Sequence, residues 1–281
     1  NHDEAVRSFA KAVEADPACA MCYWGAAAAL GPNYNMPAME QRWQVLWNAI
    51  QSAQQHAAHG TAVEQVLIAA LGKRYAGPAP VPADKMQPFN DAYASAMRDV
   101  AKQYPADDDV QVFFAEAMMT ANPWKLWSND GKAAPGTDEI VATLERVIAR
   151  NPMHPGANHY YIHAVEASPH PEKALAAADR LAALMPGAGH IVHMPAHIYQ
   201  RVGRYEDAAE QNRRAIRIDR AYLAMAKPFG YYPMYLGHNE AFLSFAASME
   251  GRSAESLESA REAVKVLPKD VVCGMPGMDF F

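Results

Sequence analysis

Apolar residues recur along the chain at the spacing of an amphipathic α-helix, not at the alternating spacing of a strand. Prolines fall mostly at the ends of these apolar segments, where they disturb a helix least. The pattern therefore predicts an all-α chain of short helices. The predicted helices cover residues 1–15, 19–30, 39–58, 62–76, 87–103, 108–121, 137–150, 156–167, 171–184, 189–202, 205–218, 236–250 and 254–267.

The segment ends recur with a regular spacing, which indicates internal repeats. Pro152 and Pro186 lie 34 residues apart, and Asp219 closes another segment 33 residues after Pro186. Between consecutive helices stand the turn sequence Gly203-Arg-Tyr-Glu-Asp-Ala208 and its looser copy Gly251-Arg-Ser-Ala254. The chain is therefore expected to be built from successive helix pairs.

The second helix of each pair carries a small, a bulky and again a small residue at fixed spacing. The sets are Ala5, Phe9 and Ala12 before Pro17, and Ala208, Asn212 and Ala215 before Asp219, where the polar Asn212 departs from the pattern. Small residues let paired helices approach closely, and the bulky residue fills the gap between them.

The period, the Gly-Arg turns and the small-bulky-small pattern resemble those of the tetratricopeptide repeat (TPR) family. The resemblance implies a right-handed α-solenoid of about six to seven TPR-like helix-turn-helix repeats. We expect one such solenoid over residues 1–268, whose first helix lies upstream of Asn1, and a C-terminal tail over 269–281. Residues 77–86, 122–136 and 221–235 are expected to be long connections beside the binding surface.

Charge and composition exclude some partners. The net charge is −6, from 25 basic and 31 acidic residues, and no basic run could follow a nucleic-acid backbone. No apolar stretch is long enough for a membrane span. The compartment, cytoplasmic or periplasmic, stays open. Cys19 and Cys22 form a C-x-x-C that is either a pair of small residues at a helix start or a disulfide or metal site, which Cys273 could join.

TPR proteins bind proteins or peptides in a groove lined by the first helix of each repeat, and the family pattern identifies the groove-facing positions. After Pro186 they are His190, His193, His197, Gln200 and Arg201, and after Pro152 they are Gly156, His159, His163, Glu166 and Ala167. His238 follows in the next unit. Only 11 of 281 residues are histidine, so ten positions should hold fewer than one by chance, and they hold five.

Helical geometry supports the same cluster without the family. Residues three, four or seven apart share one helix face, which unites His190, His193 and His197, and separately His159 and His163. Three interpretations remain. The histidines pack against each other without a ligand, or they bind a transition metal (Cu, Zn or Fe) with Glu166 as a further ligand, or they recognise an acidic or aromatic small ligand or peptide.

The stretch from His190 to Tyr199, with its H-x-x-H-M-P-x-H pattern, also resembles uncharacterised bacterial TPR proteins, and these transfer no activity. Further candidates for the groove lining are Trp24, Met21, Met194, Tyr199, Gln200 and Arg201. Among these, Met194 adjoins the histidine stripe and would suit a soft metal.

Sequence motifs of catalysis are absent: there is no phosphate-binding loop, nucleophile elbow or H-E-x-x-H. The sequence therefore favours a binding or scaffold protein with a histidine-lined groove. A metal-free protein-interaction scaffold is the first alternative. A metal-dependent enzyme is the second, and it would need a base beside bound water, with Glu166 as the groove carboxylate.

Overall fold

The helices predicted from the pattern are present in a computed structural model, which describes residues 1–37, 39–226 and 232–267. They are α1 (His2–Ala15), α2 (Ala20–Leu30), α3 (Trp43–His56), α4 (Ala62–Gly72), α5 (Gln87–Gln103), α6 (Asp108–Ala121), α7 (Thr137–Arg150), α8 (Pro155–Val165), α9 (Leu175–Leu184), α10 (Gly189–His193), α11 (Pro195–Arg201), α12 (Tyr205–Met225), α13 (Tyr232–Met249) and α14 (Ser253–Val266). The described residues contain no strand beyond isolated bridges, so the fold is all-α.

The chain divides into two compact units. The N-terminal unit is His2–Asn151, and the C-terminal unit begins at Pro152. The single solenoid over 1–268 stays a prediction. The tail 269–281 and Cys273 lie outside the described residues.

In the N-terminal unit each helix packs on the next, from α1 to α7. The large side chains that are fully buried there include Trp43, Ile50 and Leu71. Helix starts follow local chemistry: the Thr61 hydroxyl accepts from the backbone of Glu64, whose carboxylate accepts from the backbone N–H of Thr61 in return. The packing of each helix on the next one along the chain is typical of helical repeats.

In the C-terminal unit the helices also pack in chain order, α8 on α9, α10 and α11 on α12, α12 on α13, and α13 on α14. The predicted inter-helix turns are confirmed at Gly203 (φ +81°) and Gly251 (φ +72°). Both residues have left-handed backbone, which glycine adopts without steric cost. The helix pairs and their Gly-Arg turns define an all-α fold built from successive helix pairs.

Two expectations about helix extent are corrected. Residues 221–235 are not a long connection, because α12 continues to Met225 and α13 already begins at Tyr232. The ring of Tyr222 packs 4.7 Å from that of Tyr232, which joins these added turns. The helix predicted over 189–202 is interrupted at Met194, because Pro195 has no N–H to continue the hydrogen bonding and instead starts α11.

Cys19 and Cys22 form a disulfide at the start of α2. The interpretation of the pair as merely small residues is therefore wrong. Cys19 is the N-cap, and its Sγ accepts a hydrogen bond from the backbone N–H of Cys22. Among the described residues, none of the helices has the length and apolar character needed to cross a membrane.

Candidate metal centre

Six histidines of the C-terminal unit lie together as two triads. The first triad is His159, His163 and His190, and the second triad is His193, His197 and His238. Within each triad, the atoms that could hold a metal lie within 4.8 Å of one another. Helix α8 supplies two side chains of the first triad from successive turns, and α10, α11 and α13 supply the others.

In the second triad, hydrogen bonds fix the tautomers of two rings. His193 Nδ1 lies 2.7 Å from Asn212 Oδ1, while Asn212 Nδ2 donates to Ala208 O. An amide oxygen can only accept, so His193 carries its proton on Nδ1. His197 Nδ1 lies 2.5 Å from Glu166 Oε2, so it donates to the carboxylate. In its neutral form, each of these two rings presents Nε2 as a lone-pair acceptor.

Those two acceptors face each other. His193 Nε2 and His197 Nε2 are 2.9 Å apart, and both side chains are buried. Two lone pairs at this distance repel unless a proton or a metal ion lies between them. The contact therefore requires a shared proton or a metal ion between the two nitrogens.

The first triad contains a similar contact, with 3.1 Å between His159 Nε2 and His190 Nε2. His190 Nδ1 is buried and makes no hydrogen bond within the described part of the chain. A neutral ring has one proton, so His190 either buries an unused donor or turns a bare Nε2 toward His159. Because the His163 Nδ1 lies 2.9 Å from Glu166 Oε1, its proton is held there and its Nε2 is left to the triad.

Glu166 supports one ring of each triad. Its Oε1 accepts from His163 and its Oε2 from His197. It follows α8 directly, at the C-cap. Burial by itself would raise the pKa of Glu166, but the charge and hydrogen bonds of His197 and His163 outweigh burial and lower it. The carboxylate is thus ionised and occupied on both oxygens.

Burial also favours the neutral form of four of these histidines. It lowers the pKa of His163 and, together with the neighbouring histidine charges, holds the pKa values of His190 and His193 well below 6.5. The pKa of His238 is lowered to about 3, by burial first and then by His197. Neutral imidazole is the form that binds a metal.

Aromatic rings from α13 close one side of the cluster. The Phe242 ring lies 4.6–4.8 Å, centroid to centroid, from all three rings of the second triad. The Tyr235 ring lies 4.8 Å from His190. These contacts reduce the water exposure of the rings and so strengthen any charge interaction there.

A buried carboxylate fixes the helices that carry the cluster. Asp219 on α12 accepts from the Tyr232 hydroxyl at 2.6 Å and from Asn239 Nδ2 at 2.7 Å, both on α13. Its Oδ1 would be only 1.8 Å from a Cβ added at Gly189, so α10 begins in direct contact with it. Burial raises the pKa of Asp219 to about 6.

The other predicted groove residues have different surroundings. Tyr199 donates to Asp179 at 2.7 Å and lies under Arg204, while Met194 is fully buried in the core. Gln200 is half-buried, and Arg201 is exposed and donates to Ser168 O. None of these four residues belongs to either triad.

In the N-terminal unit, Trp24 is a buried core residue. Its Nε1 donates to Leu67 O, and its ring packs edge-on at 5.1 Å from Phe113. Met21 is half-buried against the same core. Packing explains both residues without a ligand.

Sequence reasoning missed Asn212, Tyr235 and Phe242 as parts of the site. The polar Asn212 at a position where the repeat pattern expects a bulky packing residue is the signal that could have identified it. A buried amide requires a partner, and here the partner is His193. The aromatic pair shares the face of α13 with His238, at helical spacing.

Known proteins similar to this chain are found by fold alone. No protein-family model matches the chain, and no curated protein matches it significantly. Among solved structures, a MamA protein has 14% identity and a TM-score of 0.47, covering 66% of this chain and 87% of its own. A TPR protein of Thermus thermophilus, TTC0263, has 16% identity and a TM-score of 0.43, covering 65% and 86%. A human IFIT1 dimer with m7Gppp-AAAA has 12% identity and a TM-score of 0.45, covering 95% and 68%.

Proposed function

We propose that this protein is a TPR-type binding protein that holds a transition metal in its histidine cluster. The observation that carries the proposal is the 2.9 Å contact between His193 Nε2 and His197 Nε2, whose Nδ1 protons are both committed elsewhere. A metal ion takes both lone pairs at once and turns their repulsion into coordination.

The donor set favours a metal that prefers imidazole. Each triad offers nitrogen alone, without thiolate, which suits Cu, Zn or Fe rather than Mg or Ca. Both oxygens of Glu166 are occupied by Nδ1 protons, so its role in the proposal is to orient the ligands rather than to coordinate. Such outer hydrogen bonds fix ring orientation and raise ligand basicity.

Binding is favoured over catalysis by the same contacts. A hydrolytic metal site needs a base beside the bound water, and Glu166 already accepts from two histidines. TPR-type folds bind proteins or peptides, so a protein or peptide partner is expected as well. A scaffold that binds such a partner without metal is the alternative.

Metal analysis of the purified protein tests the proposal. We expect copper, zinc or iron to remain bound after dialysis against metal-free buffer, and the metal content to fall in a His193→Ala/His197→Ala variant. A matched control is His56→Ala/His59→Ala, which removes two histidines from the N-terminal unit. The proposal fails if the wild type loses its metal on dialysis, or if the control loses as much metal as the cluster variant.

A further inference from the structure

We infer that the cluster is a two-metal centre, with one ion in each triad and a small anion bound between the ions. This inference rests on the proposed function and adds the stoichiometry and the class of exogenous ligand. The first observation is that each triad has three histidines of its own and that the two triads share no residue.

Each triad could hold an ion by itself. Each has three candidate nitrogens within 4.8 Å, and each contains one close Nε2 pair, at 3.1 Å in the first triad and 2.9 Å in the second. Two nitrogens on one tetrahedral zinc ion are about 3.3 Å apart, given Zn–N bonds of about 2.0–2.1 Å. Both pairs are close to that separation, so a single ion does not account for both.

The triads are neighbours, and Glu166 connects them. The rings of His163 and His197, one from each triad, have centroids 5.8 Å apart, and those of His190 and His193 are 6.2 Å apart. Glu166 accepts one hydrogen bond from Nδ1 of His163 and another from Nδ1 of His197. A metal ion bound to a histidine ring makes the Nδ1–H of that ring a stronger hydrogen-bond donor. An ion in one triad therefore strengthens one hydrogen bond to Glu166 and so affects the hydrogen bond that Glu166 accepts from the other triad.

Charge then indicates the further ligand. Two divalent ions among neutral imidazoles, with one carboxylate, leave excess positive charge in a buried site. Three protein nitrogens leave the fourth position of each ion open. A small anion between adjacent open positions neutralises charge and completes both coordination shells. Hydroxide in solution and azide as a probe belong to this class.

Copper(II) titration of the metal-depleted full chain tests the inference. We expect two ions per chain, with an integrated paramagnetic resonance signal well below two spins because adjacent ions couple. Added sodium azide is expected to shift the copper absorption bands. A His159→Ala/His190→Ala variant should bind one ion and give one full spin, and His193→Ala/His238→Ala should do the same from the other triad.

The outcomes separate the two proposals. No retained copper in the wild type overturns both. If the wild type binds one ion per chain and the variant of either triad loses it, the two-metal centre is overturned and the proposed metal binding still holds. Two ions that give two full spins without a response to azide overturn the coupled, anion-bridged pair. Zinc bound at two per chain under the same dialysis supports the stoichiometry by a route independent of copper spectroscopy.

Discussion

His193 and His197 turn their Nε2 atoms toward each other, 2.9 Å apart, while their Nδ1 atoms point to Asn212 and Glu166. His193 ends α10, His197 lies in α11, and Pro195 stands between them at the start of α11. The backbone therefore brings the rings together, and the outer hydrogen bonds decide which nitrogen faces inward. Metal affinity should consequently depend on residues that never touch the metal.

Asn212 gives the direct check of that dependence. Asn212→Leu removes the acceptor that holds the His193 proton on Nδ1, so the ring can present the wrong tautomer. We expect metal affinity to fall by about 10- to 100-fold, as for other outer-sphere partners. Asn212→Asp, which retains an acceptor, should keep most of the affinity in competition titrations with a chelator.

The matched control is Asn90→Leu, which replaces a buried asparagine of the N-terminal unit. It should leave metal affinity unchanged even where it lowers stability. If Asn212→Leu and the wild type have equal metal affinity, Asn212 has no role in orienting His193 for metal binding.

Much of the cluster could be predicted from the sequence because its spacing is local. Helical periodicity places His159 above His163, and His190 above His193, without knowledge of the tertiary fold. The repeat period brings the first helices of successive repeats side by side, and on this basis His238 was predicted to join the cluster. Glu166 was predicted near the metal for the same reason, although its two oxygens are occupied by Nδ1 protons.

The rest depends on contacts between helices, which no single segment encodes. The sequence places Tyr199 among the candidates for the groove lining, yet its side chain is buried and its hydroxyl donates to Asp179 on α9. Asp219 reads as a segment end in the sequence, but tertiary packing makes it a buried acceptor for α13. Such partners can be recognised only once the helices are placed.

Asp219 should give the protein a measurable pH dependence of stability. Its pKa is raised from 3.8 to about 6 in the fold, so the folded state holds a proton that the unfolded state has lost. The stabilisation is complete below about pH 4 and is lost as pH rises through about 6, with a total of about 3 kcal/mol. We expect urea unfolding to show wild type losing stability relative to Asp219→Asn between pH 4 and pH 7.

A neutral amide at 219 cannot titrate, so the difference between the two unfolding free energies isolates this group. Exposed Asp84 supplies the control, because Asp84→Asn should follow the wild-type pH profile. A difference between wild type and Asp219→Asn that is constant across this pH range would contradict the raised pKa.

Gly189 tests how closely α10 approaches Asp219. A Cβ there would lie 1.8 Å from Asp219 Oδ1 and 2.6 Å from its Cγ, so Gly189→Ala must displace the carboxylate that Tyr232 and Asn239 hold. We expect a loss of about 1–3 kcal/mol in the unfolding free energy. Gly187→Ala is the control, since nothing lies within 4 Å of its Cβ, and it should change stability by less than about 0.5 kcal/mol. Equal losses at 187 and 189 would show that the contact with Asp219 does not decide the effect.

The buried ion pair of Arg42 and Asp3 should show strong coupling in the N-terminal unit. Arg42 donates to Asp3 Oδ1 at 2.8 Å, and their side chains are only 8% and 3% exposed. Arg42→Met leaves a buried carboxylate without its counterion and should cost about 3–5 kcal/mol. Asp3→Leu combined with Arg42→Met removes both charges, so the double variant should be far more stable than the sum of the single losses. A double-mutant cycle in urea measures this coupling, and additive losses would show that the two charges act independently.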